Sequence, residues 1–117
     1  MLRKLRHDYV INQVKRAKIP AFEKSDVIRM HYIFSGRVQK VGFRIEVAAL
    51  AERLGLTGKI KNLPDGSVDL EIQGEKNKVD FLVKFMNSLI RIKITDTKAE
   101  EMDVIENETE FLSDKKD

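Results

Sequence analysis

The order in which two hydrophobic periods succeed one another restricts this chain more than any other feature. Ile28, Met30, Tyr32 and Phe34 alternate with Arg29, His31, Ile33 and Ser35, a period of two that marks a strand with one apolar face. From Phe43 the period lengthens: Phe43, Val47, Leu50, Ala51 and Leu54 fall on one helical stripe, and Gly55 supplies the stop. Residues 57–62 form a short strand, and Leu63, Pro64, Asp65 and Gly66 make a turn. Val68, Leu70 and Ile72 alternate with Ser67, Asp69, Glu71 and Gln73, and Gly74 breaks that strand. Val79, Leu82, Val83, Met86 and Ile90 then predict a second helix, with Phe81 and Phe85 widening its apolar face. Ile92 and Ile94 begin another strand, and residues 102–105 and 111–112 read as further short extended pieces.

Strand, helix, strand, turn, strand, helix, strand is the split βαβ order. It predicts an α+β, ferredoxin-like βαββαβ sandwich, an antiparallel sheet with two helices on one face. Ahead of it, Leu2, Leu5, Tyr9, Val10 and Val14 suggest an amphipathic helix over residues 2–17, ended by Ile19-Pro20. The expected organisation is a basic helical arm with its linker at 1–26, a folded domain at 27–112 and a polar, frayed tail at 113–117.

Charge is distributed unevenly. The formal net charge is +3 across 117 residues, yet residues 1–24 hold seven basic side chains against Asp8 and Glu23. A basic arm can touch a polyanion. The favoured reading is nevertheless a solvated helix or a frayed terminus, and a nucleic-acid module lacks its aromatic interleaving, since Tyr32 and Phe34 lie on the apolar strand face and Trp is absent. Neither a nucleic-acid nor a membrane partner is expected, since no apolar run approaches a span. No secretory signal is read in the leading residues, and the expected location is cytoplasmic. The absence of Cys excludes disulfides, thiol nucleophiles and Cys-based zinc sites. His7 and His31 are not spaced as a ligand pair, so no metal and no cofactor are expected. His31 reads as an exposed or cross-strand residue.

Two segments carry candidate chemistry. The first is Gly36, Arg37, Val38, Gln39, Lys40, Val41, Gly42, Phe43 and Arg44, a glycine-flanked loop from a strand into a helix. Such a corner converges backbone N–H groups and the positive end of the helix dipole on one point. Arg44, in the first helical turn, can fork two hydrogen bonds onto a phosphate, and Arg37 and Lys40 add positive charge. It is not a Walker A loop, since Lys and Ser/Thr do not follow Gly42. An anion nest and a plain glycine corner are both open on spacing alone. The second segment places Asn62 at a strand end before a turn, where an asparagine usually caps the turn. In this layout it can instead hold a water near the first loop.

Together the two segments resemble the acylphosphatase family. The first is similar to its phosphate-loop signature, Gly-x-Val-Gln-Gly-Val-x-Phe-Arg, at Gly36, Val38, Gln39, Val41, Phe43 and Arg44. The second is similar to its Gly-aromatic-Val-x-Asn-x-x-x-Gly-x-Val signature at Gly58, Asn62, Gly66 and Val68, with Gly74 beyond. The resemblance covers residues 27–111. It implies hydrolysis of a small-molecule acyl phosphate by a metal-independent monomer, with inorganic phosphate or sulfate as loop ligands. It also implies a phosphate-binding role for Arg44, a water-orienting role for Asn62, and a cradle of amides from Arg37 to Phe43. Three departures stand out. Lys40 occupies the central loop glycine position, Lys59 and Ile60 replace the usual aromatic and smaller residues, and residues 1–26 have no counterpart. The alternatives are a ferredoxin-like module that binds anions without turnover, a nucleic-acid-binding module, or the corresponding part of a larger carbamoyl-transfer protein. The lack of Cys-rich fingers and the chain's short length argue against the last.

Overall fold

A computed structural model of the chain describes residues 2–113, with side chains described from Asp8 onward. In chain order the elements are α1 (Leu2–Arg16), β1 (Val27–Arg37), α2 (Phe43–Leu54), β2 (Thr57–Asn62), β3 (Val68–Glu75), α3 (Lys76–Asn87), β4 (Lys93–Met102) and β5 (Phe111–Ser113). The strands form one sheet in the order β4-β1-β3-β2-β5. The first four pair antiparallel, with α2 and α3 against one face, as the sequence predicts. The added β5 runs parallel to β2 and makes the sheet mixed.

Alternation is the reason the sheet has one register. Phe34 lies opposite Val68, Tyr32 opposite Leu70 and Met30 opposite Ile72. A slip of one residue would turn every one of these side chains to the other face. Phe34, Leu70 and Ile72 are wholly buried with Val47 and Leu50 of α2 and Val79, Leu82 and Met86 of α3. Each such side chain contributes about 1.5–3 kcal/mol relative to exposure. No described helix is long and apolar enough to cross a membrane.

Several expectations are corrected. In place of the segments read separately at 92–94 and 102–105 there is one ten-residue strand, Lys93–Met102, and Ile92 and residues 103–105 lie outside it. Ile90 lies beyond α3 and is 95% exposed rather than part of its apolar face. Gly74 does not end β3; it pairs with Ile28 inside the strand. Ser113 belongs to β5, while the remainder of the expected tail, 114–117, lies outside the described residues. The side chains of Leu2 and Leu5 do as well.

The arm is more than a solvated helix. Val10 and Val14 of α1 are buried, and the helix packs on α2. Arg53 of α2 donates from Nη1 to the carbonyls of Val14 at 2.5 Å and Ala17 at 2.7 Å. These carbonyls lie at and just beyond the end of α1, where a cation is favoured by the dipole, and Val14 O also accepts the Ala17 N–H.

The face of the sheet away from the helices also carries a buried charge. Arg29 is 1% exposed, although it alternates with the apolar residues of β1. Its guanidinium donates to Gln73 Oε1 (3.2 Å), Glu108 Oε1 (2.9 Å) and Glu71 Oε1 (3.1 Å). Gln73 in turn exchanges two bonds with the backbone of Ile105. The 103–110 connection therefore lies across the back of the sheet and covers Arg29. Burial alone would lower the pKa of Arg29, but Glu108 and Glu71 outweigh it and raise it. Glu71 moves oppositely: burial pushes it up, and Arg29 and Lys59 carry it below the usual carboxylate range.

Candidate active site

The loop between β1 and α2 is shaped by close approach and by left-handed backbone. At Gly36 the β1–β4 register shifts, and φ is 119°. A Cβ there would stand 2.1 Å from the Lys93 carbonyl oxygen, so only glycine lets β1 pass β4 at this point. Lys40 has φ 61° and Gly42 φ 80°, two left-handed residues flanking Val41. The central position therefore keeps the conformation that glycine favours although a lysine occupies it. Such alternating turns curl a chain into an anion-binding concavity. Val38, 1% exposed, sinks the loop into the core. The rings of Phe34 and Phe43, 5.4 Å apart, join the strand before the loop to the helix after it.

α2 starts at Phe43 with no side-chain cap hydrogen bond at Gly42. Arg44 follows at once and is 7% exposed. Val38, Lys40, Gly42, Phe43, Arg44 and Ile45 line one small pocket with Asn62, leaving about 10 Å³ free. The pocket joins the two sequence segments, which are separated along the chain by most of α2. The side chain of Arg37 is not in it; that residue is exposed and lines a different groove with Tyr9, Arg16 and Arg91.

Asn62 ends β2 opposite Val68. Its side chain is not what holds the turn. Asp65 Oδ1 accepts the Ser67 N–H at 2.9 Å and the Ser67 hydroxyl at 2.5 Å. The Ser67 hydroxyl, then its N–H, lower the Asp65 pKa. Backbone bonds Leu63 N–H to Ser67 O and Gly66 N–H to Leu63 O complete the turn. Asn62 Oδ1 is buried and has no hydrogen-bond partner among the described residues. A buried amide oxygen without a partner is costly, and at a pocket wall it can accept a hydrogen bond from a ligand or a water.

Gln39 has a role that sequence reading missed. Its Nε2 donates to Leu63 O and Ser67 O, both at 2.8 Å. The carboxamide thus ties the loop to the turn that follows Asn62. Glu46 and Arg91 were also missed. Glu46, fully buried, ion-pairs through Oε1 with Arg91. Burial raises its pKa, and Arg91 only partly offsets that. One signal was present. Glu46 stands three residues after Phe43 and four before Leu50, inside the apolar stripe, where a carboxylate needs a cation. His31 is a cross-strand residue, with Nε2 3.1 Å from Asp69 Oδ1.

Comparison with known proteins shows the family and the fold. The family model for Acylphosphatase matches residues 30–112. The chain is 42% identical over 65 residues to an acylphosphatase of Trichormus variabilis, covering 56% of this chain and 64% of that protein. It is 40% identical over 84 residues to one from Chlorobaculum tepidum, covering 71% and 91%. The crystal structure of acylphosphatase from Bacillus subtilis is similar with a TM-score of 0.67 and 32% identity, over 74% of this chain and 97% of that one. The chain belongs to the acylphosphatase family.

Two outcomes follow from the site. A left-handed lysine costs about 1–2 kcal/mol. Lys40→Gly is therefore expected to leave the thermal midpoint unchanged or raise it, as measured by calorimetry. Glu46 has a raised folded-state pKa, so its linked stability is fully present below the unfolded value of about 4.3 and is lost as pH rises through the folded value. Urea unfolding between pH 4 and 7 is expected to show the native chain losing stability relative to Glu46→Gln as pH rises.

Proposed function

We propose that this chain hydrolyses acyl phosphates to a carboxylate and inorganic phosphate without a metal, using Arg44 and loop amides to bind phosphate and Asn62 to orient water. The observation that carries the reading is Asn62 Oδ1, buried and unpartnered among the described residues, at the wall it shares with Arg44 and the start of α2. Family, relatives and fold support the same chemistry.

The equatorial phosphoryl oxygens lie against the amides of Arg37, Val38, Gln39, Lys40, Val41, Gly42 and Phe43 and against the Arg44 guanidinium. A water donates one hydrogen bond to Asn62 Oδ1, which leaves an oxygen lone pair aimed at phosphorus. The new P–O bond forms as the bond to the acyl oxygen breaks. That electron pair leaves on the carboxylate, and the water proton passes to a phosphate oxygen or to solvent. A carboxylate is a good leaving group, so no general acid is required. Positioning and charge stabilisation suffice. Lys40 adds positive charge at the pocket rim. The reading includes a domain at 27–112 carrying the arm, a small-molecule substrate, and a cytoplasmic monomer, a setting compatible with a cysteine-free chain.

Benzoyl phosphate hydrolysis is expected with and without EDTA; an inert protein that still binds phosphate would establish the non-catalytic alternative. Arg44→Lys is expected to fold normally and lose about 10²-fold or more in kcat/KM, because an ammonium cannot reproduce the fork. Asn62→Ala is expected to lower kcat by about 10²-fold while the competitive constant for inorganic phosphate changes less than about threefold. A variant with a reduced thermal midpoint and normal kcat would return Asn62 to a structural role.

A further inference from the structure

Arg91 lies in the corner between α3 and β4, away from the pocket of Arg44 and Asn62. Its guanidinium nevertheless reaches three other parts of the molecule. Nε donates to the Val41 carbonyl at 2.8 Å, Nη1 to Gln13 Oε1 of α1 at 2.6 Å, and Nη2 to Glu46 Oε1 in the first turn of α2. The Tyr9 ring of α1 faces the guanidinium, with Cζ 5.8 Å from its centroid.

We propose that Arg91 is the positioning residue of the phosphate loop, and that α1 belongs to the site's supporting structure because Gln13 holds Arg91 in place. The inference rests on the phosphate-binding reading of that loop.

The argument begins with one peptide plane. None of the described peptide bonds is cis, so the carbonyl of Val41 and the N–H of Gly42 point in opposite directions. Arg91 takes the carbonyl. The Gly42 N–H is thereby turned to the side away from Arg91, and Gly42 lines the pocket with Arg44 and Asn62. That peptide joins Val41 to a left-handed Gly42, and a glycine does not hold one orientation by itself, since turns of either φ sign are open to it. An external bond to its carbonyl selects one orientation. Glu46 supplies charge balance and ties Arg91 to the helix that carries Arg44. Gln13 closes the remaining side.

Three separate guanidinium nitrogens each serve a different acceptor, a span that the single nitrogen of an ammonium does not reproduce. α1 is anchored independently of this contact, by buried Val10 and Val14 and by Arg53 on its terminal carbonyls. It can therefore act as a fixed post for Gln13. Arg91 touches no substrate in this arrangement; it acts through the loop.

The test uses the intact chain with Arg91→Lys, Gln13→Leu and the double variant. Calorimetry with inorganic phosphate gives Kd, benzoyl phosphate gives kcat and KM, and thermal unfolding gives stability. Arg91→Lys is expected to weaken phosphate binding and to lower kcat, each by about tenfold or more. Gln13→Leu is expected to shift both constants by about two- to fivefold at an unchanged thermal midpoint, and to add nothing in the Arg91→Lys background. The proposal is overturned if Arg91→Lys lowers the midpoint while Kd and kcat stay within about twofold, or if the two substitutions combine additively. Should Arg91→Lys fail to fold, an unchanged phosphate Kd in Gln13→Leu overturns it alone. A native chain that binds phosphate without turnover defeats the hydrolysis reading only, and the Kd comparison still decides the role of Arg91.

Discussion

Two hydrogen bonds from one carboxamide hold the candidate site together. Gln39 commits both of its side-chain donors to carbonyls of the β2–β3 turn, and that turn follows Asn62 directly. Arg44 and Asn62 belong to different elements, an α2 first turn and a β2 end, with a helix and most of a strand between them in sequence. Sheet pairing brings β2 near β1 only through β3. Without the Gln39 bridge, the loop and the turn would be neighbours across a gap with no fixed spacing. Its acceptors are themselves engaged, since Ser67 O also takes the Leu63 N–H. The bridge therefore ends on a rigid turn rather than on a mobile one.

The loop is fixed from its other side as well. Val41 O is held by Arg91, Val38 is sunk in the core, and Gly36 is pressed against Lys93. Three separate constraints act within seven residues. They explain how a lysine persists at φ 61° in the middle of the loop. The surrounding structure over-determines the backbone, and a strain of about 1–2 kcal/mol is small beside the anchors that impose it.

Much of this was legible in the chain because period and punctuation agreed. The strand at 57–62, the helix start at Phe43 and its stop at Gly55 were readable, and Gly55 does cap the helix in the left-handed region. Arg44 and Asn62 stood out through the two linked motifs, and the structure lines one pocket with both. The less legible features depend on partners far along the chain. Arg29 looked solvent-facing, because alternation assigns a face but does not say what covers it; the cover is residues 103–110. Gln39 read as one more loop amide, since the carbonyls it meets lie 24 and 28 positions away. Arg91 showed no local signal, for its meaning lies in four segments converging. The arm looked solvated because basic residues mask a stripe as short as Val10 and Val14, although that stripe is buried.

The two borders of the sheet are finished differently. Beside β2, the short β5 occupies the border strand's free side with three paired positions. At the opposite border β4 offers ten residues, nine of them exposed, and among the described residues no strand pairs with its outer side. A border of that length is a template for self-association between copies. Lys93, Asp96, Lys98, Glu100 and Glu101 stud it with both signs of charge and leave few apolar side chains to zip. A second copy docking there would have to desolvate those charges to gain its backbone pairs. The composition of β4, which contributes little to the core, thus guards the chain against stacking into fibres.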